Sequence, residues 1–136
     1  MGTTTCVNCH MYEADHTFKP NLKACEKCHA GMSGAAIVGA KQASFRQKIG
    51  VIAGYDPTSV IPAAANLISG GVLDRYAKAA AAFTAGSLTT AQKTLYADAK
   101  WNLELVIYDG SKGVHNTAYI NKLIDNASDM LTSLGY

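Results

Sequence analysis

The chain has 136 residues, of which 49% are hydrophobic and 16% charged, with a formal net charge of +2 at pH 7. This length fits one domain or a small domain with an appendage, and the apolar content is sufficient for a core. No basic stripe is interleaved with aromatic residues, so we expect no nucleic-acid partner. No run approaches the 18 or more apolar residues of a transmembrane helix, so we expect no membrane span.

All four cysteines lie in two copies of the pentapeptide Cys-x-x-Cys-His, at Cys6–His10 and Cys25–His29. This motif is the attachment signal for c-type haem, in which two thiols bond to the porphyrin and the adjacent histidine binds the iron. The sequence therefore predicts two haem c groups with His10 and His29 as proximal iron ligands. The predicted attachment residues are Cys6, Cys9, Cys25 and Cys28.

The chain has only two further histidines, His16 and His115, and two haems leave two axial positions to fill. The six residues from His10 to His16 span at most about 20 Å when fully extended, and they would have to round the porphyrin edge. The thirteen residues from His16 to His29 can wrap around the second haem without strain. We therefore expect His16 to bind the iron of the second haem and His115 that of the first.

Two alternatives apply to His115. It could serve as a capping or core residue, because it lies one residue before a predicted helix. One iron would then have an open site or a methionine ligand. Met32 and Met130 could act as that ligand, whereas Met11 adjoins a proximal histidine and cannot reach the opposite face of the haem.

The chain as a whole is predicted to have a mainly α fold, within one structural domain overall. Residues 1–31 are predicted to form a loop-rich segment that attaches both haems. Residues 32–136 are predicted to form a helical bundle that supplies a distal haem ligand. Helical spacing covers residues 33–53, with Val38, Phe45, Ile49 and Ile52 on one face. Residues 63–85 are Ala-rich and predicted helical, with a bend near Gly70 and a stop at Gly86.

The two last predicted helices have the clearest patterns. Residues 90–109 follow a possible N-cap at Ser87 or Thr89 and carry so many apolar residues that we expect burial on more than one side. Asn116 is predicted to cap the final helix. The apolar stripe of that helix comprises Ile120, Leu123, Ile124, Ala127, Leu131 and Leu134.

The cysteine spacing alone also matches a four-cysteine zinc ribbon. Such a site is complete without histidine, so it gives no role to His10 or His29, and the β-hairpin turns of a ribbon are missing from the sequence. Cysteines two residues apart also make poor structural disulfides. These comparisons favour haem over zinc or a disulfide framework.

The order of haem motif, His16-Thr-Phe-Lys-Pro20, haem motif and helices, followed by Asp109 to Asn116, resembles the C-terminal two-haem module of pentahaem cytochrome c nitrite reductases and related multihaem cytochromes. The matching segments are residues 6–29 and about 100–124. Within the second segment the matching residues are Trp101, Asp109, Ser111, Gly113, Val114, His115, Asn116 and Tyr119.

The resemblance implies the same ligand assignment, with the histidine between the motifs on the second haem and the later histidine on the first. The catalytic haem of that family has a lysine in place of the proximal histidine, and neither motif here has one. We therefore expect electron transfer by bis-histidine, low-spin haems rather than nitrite reduction. A haem reductase of small nitrogen oxyanions, with one labile distal ligand, is the alternative.

Several further expectations follow from this prediction. Haem attachment of this type takes place outside the cytoplasm, so we expect a periplasmic or extracellular protein. Either its signal peptide has been removed, or the chain is a piece of a longer protein. Redox proteins are the expected partners. Lys19, Lys23 and Lys27 form either an ordinary solvated surface or a positive rim that attracts an acidic partner. By analogy with the family, the C-terminal helices could form a homo-oligomer or a larger multihaem assembly.

Overall fold

The computed structural model describes Asn8, His10, Met11, Glu13 and residues 20–136, and its fold is mainly helical, as predicted. The chain divides into two compact units, Met1–Ala40 and Lys41–Tyr136. Within the described residues no strand occurs, and Val51 and Leu67 form an isolated antiparallel bridge. The helices are α1 (Lys23–Glu26), α2 (Gly34–Ile49), α3 (Val72–Thr84), α4 (Thr90–Tyr108) and α5 (Thr117–Ser133).

Helix α2 ends at Ile49, four residues before the predicted end at residue 53. Gly50 adopts a left-handed conformation with φ of 81° and donates from its amide to the Gln47 carbonyl (3.2 Å). The amide of Val51 donates to the Arg46 carbonyl (3.0 Å), which completes a Schellman C-cap. Ile52, predicted on the apolar face, therefore lies beyond the helix and is exposed.

The prediction of a helix over residues 63–85 was wrong for its first nine residues, because helix α3 begins only at Val72. The backbone before it is hydrogen-bonded to the segment that follows α2. Asn66 accepts from the Ile52 amide (3.1 Å), and Ile68 donates to the Gly50 carbonyl (2.9 Å). These groups are therefore not used in a helical ladder, and Ala64–Asn66 forms only a single 3-10 turn.

The core of the second unit forms where α3, α4 and α5 pack together, and α4 and α5 share the largest interface. Asn116 caps α5 through its side chain, as predicted, and accepts from the Tyr119 amide (3.4 Å). The whole predicted stripe of the last helix is buried. Arg75 of α3 donates to the Tyr136 carbonyl and the Ser128 hydroxyl (both 2.9 Å), which ties α3 to the end of the chain.

Helix α4 is buried on one side only, which corrects the expectation of burial on several sides. Thr89 and Gln92 form a capping box at its start, and the helix ends at Tyr108. Leu103 is fully buried, whereas Trp101 is 65% and Tyr108 68% exposed. The second apolar face of α4 therefore borders an open cavity. None of the helices among the described residues has the length and apolar content needed to cross a membrane.

Candidate haem centre

The second Cys-x-x-Cys-His motif lies on a short helical turn. The Cys25 carbonyl accepts from the amides of Cys28 (3.2 Å) and His29 (3.0 Å), which extends the turn beyond α1. Residues four apart lie on the same side of a helix, so the turn places Cys25 and His29 on one side. Cys25 is half-buried, Cys28 and His29 are exposed, and neither cysteine forms a disulfide.

This turn is attached to the start of α2 within the first unit. The Glu26 carboxylate accepts from the Gly34 amide (3.1 Å). Gly34 packs so tightly on the Leu22 carbonyl that an added Cβ would collide with it. The glycine and the carboxylate thus hold the second motif in place locally.

The first motif is described only in part by the structure. His10 is helical and half-buried, whereas Cys6, Cys9 and His16 lie outside the described residues. The predicted ligand pairs therefore stay predictions.

Of the two methionines considered as substitute ligands, Met32 is exposed. Met130 packs against the core of the second unit, and its Sδ atom accepts from Asn102 Nδ2 (3.9 Å).

His115 lies on the loop between α4 and α5. Its backbone amide and its ring each lie near a polar side chain of that loop. The Asp109 carboxylate accepts from the Ser111 amide (3.2 Å) and from the Ser111 hydroxyl. The Ser111 hydroxyl in turn accepts from the His115 amide (2.9 Å). The second carboxylate oxygen of Asp109 lies 3.8 Å from His115 Nδ1.

The loop is also fastened to the end of α2 inside the second unit. Asp56 binds the guanidinium of Arg46 (2.7 Å) and the ammonium of Lys112. Gly113 lies against the ring of Phe45, where an added Cβ would be 3.2 Å from the Phe45 Cβ. These contacts tie the His115 loop to the last turns of α2 and to the segment that follows it.

A cavity of about 560 Å³ opens between α4 and α5 beside His115. This volume is typical of small-molecule and cofactor sites. Its lining is mainly aromatic and aliphatic, with four polar or charged residues among them. The lining residues are Trp101, Glu104, Leu105, Tyr108, Asp109, His115, Asn116, Tyr119, Ile120 and Leu123.

The aromatic and aliphatic lining of this cavity is compatible with a haem. Among the described residues, no group of three or more His, Cys, Asp or Glu side chains is arranged to hold a metal. A porphyrin already gives its iron four nitrogen ligands, so one imidazole from each face is sufficient. The exposed rings of Trp101, Tyr108 and Tyr119 match the apolar, planar face of such a group.

Asp56, Arg46 and Lys112 support the site but were not recognised in the sequence. They lie between 10 and 56 residues from their partners, and charged residues of this kind are common on solvated surfaces. Asp109 and Ser111 entered only through the resemblance to multihaem cytochromes. The comparisons with known proteins add nothing to these assignments, because no family model, curated protein or solved structure matches this chain.

Proposed function

We propose that this protein is a dihaem c-type cytochrome, an electron carrier rather than an enzyme. One observation carries the proposal: the chain has two Cys-x-x-Cys-His motifs and two additional histidines, one of which, His115, stands on a tethered loop beside an aromatic cavity. The proposed ligand pairs are His10 with His115 on the first haem and His29 with His16 on the second.

The side chains described above have distinct roles in this proposal. His115 would hold the iron of the first haem through Nε2, because Nδ1 is the nitrogen that faces Asp109. Trp101 and Tyr108 would cover the porphyrin and keep water from it. The haem groups supply one-electron redox chemistry when bound, and two imidazoles per iron favour a lower potential than a His/Met pair.

The partners and location follow from the same proposal. We place the protein in the periplasm or outside the cell, where it exchanges electrons with other redox proteins. Lys23 and Lys27 are exposed beside the second motif, and a positive rim at that place favours an acidic partner. Lys19 lies outside the described residues.

An assembly through the C-terminal helices is part of this proposal. The exposed apolar face of α4 could be covered by a second subunit or by another haem protein as well as by the first haem. Sedimentation of the haem-loaded protein at high micromolar concentration distinguishes these cases. A monomer under these conditions would contradict the assembly. The first haem would then be the group that covers the exposed apolar face of α4.

Replacement of His115 tests the proposal directly. The protein is produced with a haem-attachment system, and its mass and visible absorption spectrum are measured. We expect two covalent haems in the wild-type protein, both low-spin. His115→Ala should convert one haem to high spin and leave the other low-spin, because only one axial ligand is removed.

Lys122→Ala is the matched control, since Lys122 is exposed on α5 and does not line the cavity. It should leave both haems low-spin. A colourless, zinc-containing product would instead support the four-cysteine zinc module. Cyanide or carbon monoxide binding to the wild-type protein, together with a high-spin component, would support the reductase and overturn the electron-carrier proposal.

A further inference from the structure

The carboxylate of Asp109 is held in a fixed position against the His115 ring. Its Oδ2 atom accepts from two donors of Ser111, the amide at 3.2 Å and the hydroxyl. Its Oδ1 atom lies 3.8 Å from His115 Nδ1. The Asp109 side chain is only 21% exposed, whereas that of His115 is 62% exposed. One oxygen is therefore occupied by the loop, and the other faces the imidazole.

The backbone of His115 is fixed independently of its ring. Its amide donates to the Ser111 hydroxyl (2.9 Å), the same hydroxyl that donates to Asp109. After His115, the Thr117 hydroxyl donates to the Gly113 carbonyl (2.7 Å) and closes the loop. Ser111 thus connects the carboxylate and the histidine backbone, so that a shift of one displaces the other.

A carboxylate beside Nδ1 has a known effect on an imidazole that binds a metal through Nε2. It holds the proton on Nδ1, orients the ring and makes Nε2 a stronger donor. The 3.8 Å separation exceeds a hydrogen bond by about 0.9 Å, so the ring must move toward the carboxylate by that distance when Nε2 binds the iron. A stronger donor stabilises ferric iron more than ferrous iron, and so lowers the reduction potential.

We propose that Asp109 is a positioning residue that presents Nε2 of His115 to the first haem and lowers the potential of that haem. This inference rests on the proposed function. It adds a role for a residue that does not bind iron, and it gives the two haems different axial environments. The charge and the orientation of Asp109 both contribute, and variants of this loop separate the two.

The test is a redox titration of the haem-loaded protein that resolves both midpoint potentials. Asp109→Asn should raise one midpoint potential and leave the other unchanged. Ser111→Ala should raise the same potential without any change of charge, because the carboxylate keeps the amide of residue 111 but loses the hydroxyl that donates to it, and the His115 amide loses its acceptor. Asp109→Glu should give a value between those of the wild-type protein and Asp109→Asn.

Glu104→Gln is the control for charge alone. Glu104 lines the same cavity but faces Lys100, at 3.6 Å, rather than His115. We expect its effect on the potential to be smaller than that of Asp109→Asn. Unchanged potentials in Asp109→Asn, or an equal shift in Glu104→Gln, would overturn the positioning role.

The failure of this inference can be distinguished from failure of the proposed function. Circular dichroism establishes that each variant is folded, and Ser111→Ala and Asp109→Glu provide the test if Asp109→Asn does not accumulate. If His115→Ala yields one high-spin haem while Asp109→Asn and Ser111→Ala leave the potentials unchanged, only the role of Asp109 is wrong. If His115→Ala leaves the spectrum unchanged, the ligand assignment and the inference both fail.

Discussion

The loop that carries His115 adopts left-handed conformations at four positions, with φ of 69° at Gly110, 57° at Lys112, 82° at Gly113 and 42° at Asn116. For residues other than glycine this conformation costs about 1–2 kcal/mol each. The surrounding contacts offset that cost. Lys112 binds Asp56, and Asn116 accepts from the first turn of α5. Strain of this kind is common where a side chain must be presented in one orientation.

Gly113 provides a test of how tightly this loop is held. Gly113→Ala should lower the free energy of unfolding by about 1–2 kcal/mol because of its positive φ, and further because the new Cβ would lie 3.2 Å from the Phe45 Cβ. Gly86→Ala is the control, since Gly86 has φ of 72° but nothing within 4 Å. Equal losses in urea denaturation would show that the Phe45 contact contributes nothing.

Asp56 should make the stability of the protein depend on pH. Burial raises the pKa of this carboxyl, but the hydrogen bonds and charges of Lys112 and Arg46 outweigh it and hold the pKa below its ordinary value. A pKa that is lower in the folded state stabilises the fold above the unfolded value of about 3.9. This contribution is lost as pH falls through the folded pKa.

The expected result is a steep loss of stability on acidification in the wild-type protein and a shallower one in Asp56→Asn, from which this titration is absent. Urea denaturation at several pH values between about 5 and 3 measures the difference. Asp74 also has a lowered pKa, because Lys78 and the Gly70 amide donate to it, so part of the acid dependence should survive in the variant. Parallel curves for the two proteins would contradict the assigned role of Asp56.

At the scale of the elements, α4 has two apolar faces with different surroundings. Leu103 lies in the core with α3 and α5 and is fully buried, whereas Leu105 is 40% exposed in the cavity. In the chain produced without haem, Leu103→Ala should cost about 2–5 kcal/mol. Leu105→Ala should change stability by only about 0.5 kcal/mol.

The comparison becomes a test of function when it is repeated on the haem-loaded protein. A porphyrin over the open face would bury Leu105, so Leu105→Ala should cost more there than in the haem-free chain. Guanidinium denaturation of both forms measures the two differences. An equally small cost in both forms would mean that no haem covers this face of α4.

The helix ends show which features of the fold can be predicted from neighbouring residues in this sequence. Gly86, Thr89 and Asn116 were recognised because a stop or a cap depends on the residue and its immediate neighbours. The end of α2 at Ile49 was missed, although Gly50 gives the same local signal as Gly86, a glycine with positive φ beyond the helix. Gly50 approaches Gly71 so closely that a Cβ on either would collide with the other, and this contact is distant in sequence.

At the scale of the whole molecule, burial is distributed unevenly along the chain. The buried apolar residues of the described structure begin at Phe45, so residues 20–40 contribute no side chain to that core. A segment without a core of its own cannot offset the entropy of ordering its backbone. Two covalently attached porphyrins would provide the missing apolar surface.

Limited proteolysis should reveal this difference. Without haem, trypsin should cut at Lys23 and Lys27 well before it cuts at Lys100 or Lys122, which lie on the packed helices α4 and α5. Haem attachment should slow the early cuts selectively. Mass spectrometry of the fragments measures the rate of each cut. Equal rates at the two pairs of sites without haem would contradict this account.

The sequence alone was enough to predict the mainly helical fold, the capped ends of α4 and α5 and the stripe that α5 buries, because these depend on residues close together in the chain. It also predicts two haems and their possible iron ligands from composition and adjacency, and these stay predictions. The surroundings of α4 and the contacts of the His115 loop were determined by tertiary packing. Whether a face of α4 meets the core or a cavity, and whether the His115 loop is tied to Asp56 and Phe45, depends on contacts between distant residues. Such contacts form only when the helices come together, and no local pattern encodes them.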